Sequence, residues 1–150
     1  MGFQEAIRNV FDNYANFNGR ARRSEYWYFS LFTFLVGLVF STLRTVAGDG
    51  VIGSILIGAY SLFSLAVLVP GLAVSWRRLH DIRKSGAYIF IALIPLVGPI
   101  LLLIWFCQEG DRGPNQYGPD PKGGIGGTRY PGGAYDAGAN SYDNDNWNNF

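Results

Sequence analysis

The stretch "WRRLHDIRKSG", residues 76–86, holds the side chains of this chain that are best suited to chemistry. It contains the only histidine, His80, with Asp81 beside it and four of the twelve Lys and Arg residues. A histidine and a carboxylate can carry out acid–base catalysis when the two groups face each other. Adjacent residues on a helix point in different directions, whereas residues three or four apart lie side by side. The spacing therefore favours ion pairs of Asp81 with Arg77 and with Lys84. His80 is then expected to be a boundary residue at the end of the long uncharged segment that precedes it.

Metal and thiol chemistry have little support in the sequence. A single histidine excludes a His-pair metal site within one chain, and the single cysteine, Cys107, excludes an internal disulfide. The long uncharged segments contain no ionisable side chain except Tyr and Cys, which disfavours an active site inside a membrane. We therefore expect no enzymatic activity, no metal and no cofactor.

Three long apolar segments must position these polar residues. Residues 26–43, 51–76 and 87–108 contain no Asp, Glu, Lys or Arg. An uncharged apolar run of about 18 residues or more can cross a ~30 Å hydrocarbon core as a helix. The sequence therefore predicts an all-α membrane protein. Its transmembrane domain, residues 20–108, is expected to have about three transmembrane helices, at about 26–46, 51–76 and 87–107.

Residues 1–19 precede the first apolar segment and show an amphipathic helical pattern. The apolar side chains recur at the spacing of one helical face. They are Phe3, Ile7, Val10, Phe11, Tyr14 and Phe17. Two interpretations remain open: a helix lying among the lipid headgroups, and a short helix packed on the protein's own cytoplasmic face.

Residues 109–150 differ from the rest of the chain in composition. They are rich in Gly, Asn, Asp and Tyr and show no apolar period. Such a segment cannot bury enough apolar surface to fold, so we expect a disordered tail.

The distribution of positive charge predicts the orientation, because cytoplasmic loops carry an excess of Lys and Arg. Eight basic residues lie before the first segment or between the second and third, namely Arg8, Arg20, Arg22, Arg23, Arg77, Arg78, Arg83 and Lys84. The other side has Arg44, Arg112 and Lys122. We therefore expect the N-terminus and the 77–86 loop in the cytoplasm, with the C-terminal tail outside. This topology would place Cys107 on the membrane face opposite His80.

Three motifs resemble those of a known family. They are "FNGRARRSEYWYF" before the first segment, "WRRLHDIRKSG" before the third, and "LIPLVGPILLLIWFCQEGDRGPNQYGPDP" at its end. Together, over about residues 10–122, they resemble the Domain of Unknown Function 805 family of small bacterial inner-membrane proteins. Arg83-Lys84 departs from the family, which more often has a Gly and a single basic residue there. The resemblance implies a multi-pass protein of the bacterial plasma (inner) membrane and implies no reaction.

Two functional hypotheses follow. The first is a structural or regulatory module that interacts with the lipid bilayer, including anionic headgroups, or with a membrane-protein partner or a second copy of itself. The candidate headgroup-binding, partner-binding or topology cluster comprises Arg20, Arg22, Arg23, Arg77, Arg78, His80, Asp81, Arg83 and Lys84. The second is a subunit of an oligomeric channel or transporter, since three helices alone enclose little of a pathway. A nucleic-acid partner is not expected, because the charges do not form one basic face.

Overall fold

A computed structural model describes residues 1–122 of the 150-residue chain, so the predicted tail beyond residue 122 lies outside the described residues. The described part is helical and contains no strand. Its elements are α1 (Phe3–Asp12), α2 (Arg23–Ala47), α3 (Val51–Asp81), a 3-10 helix (Gly86–Leu93) and α4 (Val97–Cys107).

Helices α2 and α3 form an antiparallel pair, and both are long and apolar enough to cross a membrane. A short turn at residues 48–50 joins them, and Arg44 closes this end by pairing with Asp49 at 2.6 Å. The 31 residues of α3 correspond to about 46 Å, which exceeds the ~30 Å of a hydrocarbon core. The last turn of α3, which carries Arg77 to Asp81, therefore extends beyond the apolar part of the pair.

The third predicted span, residues 87–107, is not one transmembrane helix. The 3-10 helix begins at Gly86, which lies against the ring of Trp76. Helix α4 then runs back antiparallel to the 3-10 helix. The rings of Tyr88 and Trp105, on opposite legs, meet edge to face with centroids 5.6 Å apart. We call residues 86–107 the re-entrant hairpin, because both of its ends lie at the same end of α2 and α3.

The reversal has a local cause in the sequence "IPLVGP". Pro95 cannot donate a helical hydrogen bond, and Leu96 adopts a left-handed backbone with φ of 65°. Gly98 lies so close to the other leg that a Cβ there would overlap the carbonyl oxygen of Ile91. The chain therefore turns back at these residues instead of continuing as one helix.

The length of each leg limits how deep the re-entrant hairpin reaches. The 3-10 helix has eight residues and α4 has eleven, which correspond to about 16 Å each at the rises of the two helix types. Each leg therefore covers about half of a ~30 Å hydrocarbon core. The described residues contain two spans and one half-depth hairpin in place of the three predicted spans.

Helix α1 packs on α2 and α3 instead of lying free on the membrane. Its Ala6 and Val10 are fully buried, and Val10 shares an apolar cluster with Phe29 and Val74. Phe11 also meets the ring of Phe29 edge to face. Of the two interpretations left open by the sequence, the contacts favour the packed helix.

The chain after α4 returns to the end of the α2–α3 pair where α2 begins and α3 ends. The backbone N–H of Asp111 donates to the carbonyl of Asp81 at 2.8 Å. Residues 108–122 therefore lie beside residues 19–25 and 76–85, and together these three segments form what we call the basic end. The expectation that the tail lies on the opposite side does not hold for residues 109–122, because the re-entrant hairpin returns the chain to the end of the helix pair from which it entered.

Candidate functional site

The centre of the basic end is the carboxylate of Asp81, which faces two buried guanidinium groups. Arg20 donates from Nε to Asp81 Oδ1 at 3.0 Å, and Arg78 donates from Nη1 to Oδ2 at 2.8 Å. The side chains of all three residues are at most 3% exposed. Asp81 is thus an ion-pair partner, as the sequence predicts, but its partners are not the predicted Arg77 and Lys84.

The two guanidinium groups also hold the chain that follows α4. Arg20 donates to the carbonyl oxygens of Asp111 and Gly113, each at 2.6 Å. Arg78 donates to the carbonyl oxygens of Phe106 and Gln108. Buried charges are tolerated when their remaining donors are satisfied in this way. We call residues 108–122 the clasp, because these bonds fasten them to the ends of α2 and α3.

The clasp contradicts the expectation that residues 109–122 are disordered. Gly110 packs directly on the Asp81 carboxylate, and a Cβ at this position would overlap it. The side chain of Asn115 donates to the carbonyl of His80 at 3.0 Å, and its Oδ1 accepts from the N–H of Tyr117 at 2.9 Å. The clasp buries few apolar groups, so hydrogen bonds to charged donors replace the apolar period that the sequence lacks.

A second buried ion pair joins α2 to α3. Arg77 Nη2 lies 2.9 Å from Glu25 Oε1, and both side chains are 5% exposed. The two atoms are close but poorly aligned, so neither makes a regular hydrogen bond. The carbonyl of Arg77 also accepts from the N–H of Ala21 at 3.0 Å. Arg77 therefore fixes the entry of α2 against the exit of α3.

His80 is enclosed and does not lie at a lipid boundary. Its Nδ1 is 3.0 Å from the carbonyl oxygen of Gly19, and its ring stacks on Tyr117 with centroids 3.8 Å apart. A carbonyl can only accept, so Nδ1 is the protonated nitrogen in this contact. His80 therefore links the turn before α2 to the clasp.

The nine candidate residues divide into a buried set and an outer set. The buried set comprises Arg20, Arg77, Arg78, His80 and Asp81, each at most 7% exposed. The outer set comprises Arg22, Arg23, Arg83 and Lys84, which are partly or fully exposed. The structure brings the buried set together as a network that holds the fold, and the outer set surrounds this network nearer the surface.

Several outer cations are tied to the clasp. Arg83 pairs with Asp111 at 2.5 Å, and Arg22 donates to the carbonyl of Pro121 at 2.5 Å. Within the clasp itself, Lys122 lies 3.0 Å from Glu109, and its hydrogen bond lowers the pKa of that exposed carboxyl. These exposed pairs are weak individually, because water screens them.

Lys84 is placed differently from the other outer cations. Its ammonium lies 4.4 Å from the ring centroid of Trp105 and 5.8 Å from that of Tyr88. Within residues 1–122 no carboxylate lies within 4 Å of it. Lys84 therefore sits on aromatic rings at the root of the re-entrant hairpin, where the chain enters the apolar layer.

A groove of about 340 Å³ lies between α2 and α3. Its walls include hydroxyl side chains from both helices, namely Tyr26, Ser30, Thr33, Tyr60, Ser64 and Ser75. Two of these hydroxyls bond to their own helix, Thr33 to the carbonyl of Ser30 and Ser75 to that of Gly71. The groove is therefore only weakly polar.

Five residues of the network were not predicted from the sequence, namely Glu25, Gly110, Asp111, Asn115 and Tyr117. Glu25 lies in the motif "FNGRARRSEYWYF". The other four lie in the motif "EGDRGPNQYGPDP", which is part of the family resemblance and yet has the composition of a disordered tail. In the part of the chain that the structure describes, no three His, Cys, Asp or Glu side chains are grouped so as to hold a metal ion.

Two apolar spans, a half-depth hairpin and a buried ionic network at one end define a small integral membrane protein. Residues 14–119 match the family described as "Protein of unknown function (DUF805)", and the chain belongs to it. It is similar to the inner membrane protein YhaI of Escherichia coli K12, with 41% identity over 76% of this chain and 92% of that protein. It is also similar to YhaH of the same strain, with 40% identity over 75% of this chain and 93% of that protein. No solved structure matches.

Proposed function

We propose that the protein is a non-catalytic module of the bacterial inner membrane whose basic end faces the cytoplasm and binds anionic lipid headgroups. The names of the E. coli relatives support a location in the inner membrane. The excess of Lys and Arg at the basic end supports its position on the cytoplasmic side. On this proposal the N-terminus, residues 77–86 and the clasp are all cytoplasmic.

The observation that carries the proposal is the position of Lys84. A cation that rests on Trp105 and Tyr88 at the root of the hairpin lies at headgroup level, with the exposed Arg83 beside it. Each Lys or Arg near an anionic surface contributes about 1 kcal/mol of attraction. A non-catalytic role is supported by the network itself, because its carboxylates and guanidinium groups bind one another and the backbone.

Charge removal at this root tests the proposal. The double variant Arg83→Gln, Lys84→Gln is compared with the native chain for binding of phosphatidylglycerol in detergent, by native mass spectrometry at low salt. We expect affinity to fall about tenfold, since two attractive charges are lost and one is already partly neutralised by Asp111.

The matched control removes the same net charge elsewhere. Arg8→Gln with Arg44→Gln alters one exposed cation on α1 and one at the far end of the helix pair, and it should keep near-native affinity. Arg77 and Arg78 are unsuitable for this test, because their loss would damage the fold. Equal affinity in the root variant and the control would refute the proposal.

A second candidate is a subunit of an oligomeric channel or transporter. The observation in its favour is the hydroxyl-lined groove between α2 and α3, which several copies could combine into a pathway. Two spans and a hairpin from one chain do not enclose a pore. Ion flux into reconstituted vesicles above the protein-free level, reduced by Thr33→Val with Ser64→Ala, would support this candidate, and no flux would refute it.

A further inference from the structure

The two halves of the molecule have different widths in the membrane. Beside the basic end, α1 and both legs of the re-entrant hairpin pack around α2 and α3. Beyond the hairpin tip at residues 94–96, among the described residues, only α2 and α3 continue. The part formed by residues 1–122 is therefore wider at the basic end than at the other end, like a wedge along the membrane normal.

The size of the wedge follows from helix dimensions. A helix with side chains is about 10 Å across, so each added leg occupies about 80 Å² of one leaflet. The two legs together add about 160 Å² to the leaflet on the side of the basic end. In the other leaflet, residues 1–122 contribute only α2 and α3, so they add no matching area there.

The added segments present apolar side chains outward, as lipid contact requires. At the hairpin tip Leu93 and Leu96 are 79% and 80% exposed. On α1, by contrast, the charged side chains of Arg8 and Asp12 are 84% and 52% exposed, so α1 is left out of the lipid-displacing area. The exposed leucines place the hairpin in the acyl layer and not in water, so its volume displaces lipid from one leaflet.

We infer that the protein prefers curved membrane in which the leaflet at the basic end is the convex one. A convex leaflet has more area per lipid headgroup, and inserted segments that fill this area lower the cost of bending. The partner of this surface is the bilayer itself, selected by shape. The preference does not depend on headgroup charge, so it stands apart from the proposed function.

The test uses the full chain in phosphatidylcholine vesicles, which carry no net charge. Cys107 is the only cysteine and is exposed near the basic end, so a fluorophore on it reports orientation through a membrane-impermeant quencher. Single-vesicle imaging then gives protein density against vesicle diameter, from small, strongly curved vesicles to large, nearly flat ones, because insertion into one leaflet is sensitive to curvature.

The two orientations control for each other within one sample. Quenchable molecules, with the basic end outward, should be at least about twofold denser in the smallest vesicles than in the largest. Unquenchable molecules should show the opposite trend. Densities that are flat in both populations, or that rise equally in both, would overturn the inference. If headgroup binding fails its own test while these opposite trends persist, only the proposed function is lost.

Discussion

The sharpest test of the network is Asp81→Asn. This substitution keeps the shape of the side chain and removes the carboxylate charge that faces Arg20 and Arg78. It leaves two guanidinium groups, with side chains 1% and 0% exposed, beside a neutral amide. Breaking a buried pair by removing one partner costs about 3–5 kcal/mol, because an uncompensated charge stays buried.

The chain contains a matched control for this prediction. Asp49 pairs with Arg44 at 2.6 Å, closer than either contact of Asp81, but its side chain is 96% exposed. Exposed ion pairs contribute at most about 1 kcal/mol. The same substitution, Asp49→Asn, therefore removes an ion pair of similar geometry in water.

The measurement is the thermal midpoint of unfolding in detergent. At about 2–4 °C per kcal/mol for a chain of this length, Asp81→Asn should lower Tm by about 6–20 °C, and Asp49→Asn by less than about 4 °C. If the two variants lost the same Tm, the reasoning that burial makes the Asp81 network strong would be refuted.

Two further predictions concern the clasp and the hairpin. Gly110→Ala should destabilise the protein by about 1–3 kcal/mol, because the new methyl overlaps the Asp81 carboxylate. The control Gly58→Ala, where the space is open, should be neutral or slightly stabilising. Equal thermal midpoints of unfolding for the two variants would contradict the packing of Gly110 on Asp81. In a Cys107→Ser background, Arg8→Cys and Lys122→Cys should react with an impermeant maleimide from the same side of the membrane and Asp49→Cys from the other. Labelling of Lys122→Cys together with Asp49→Cys would mean that residues 86–107 cross the membrane after all.

Three features could be predicted from the sequence alone, namely the helical membrane class, the two spans α2 and α3, and the family. An uncharged apolar run of this length in lipid has few possible structures other than a helix, since every backbone polar group there must find a hydrogen-bond partner within the protein. All of these features depend on composition and local order along the chain.

The path of residues 86–122 depends on tertiary contacts and could not be predicted from the sequence. A 22-residue apolar run satisfies the length rule for a span whether it crosses the membrane or turns back at Pro95, and the reversal depends on the contact between Gly98 and Ile91. The partners of Asp81 were also beyond sequence reasoning, because Arg20 is 61 residues away along the chain and local spacing only reveals pairs within a helix. The clasp folds because it binds buried guanidinium groups from two other elements. Its order is therefore a property of the assembled basic end and not of its own composition.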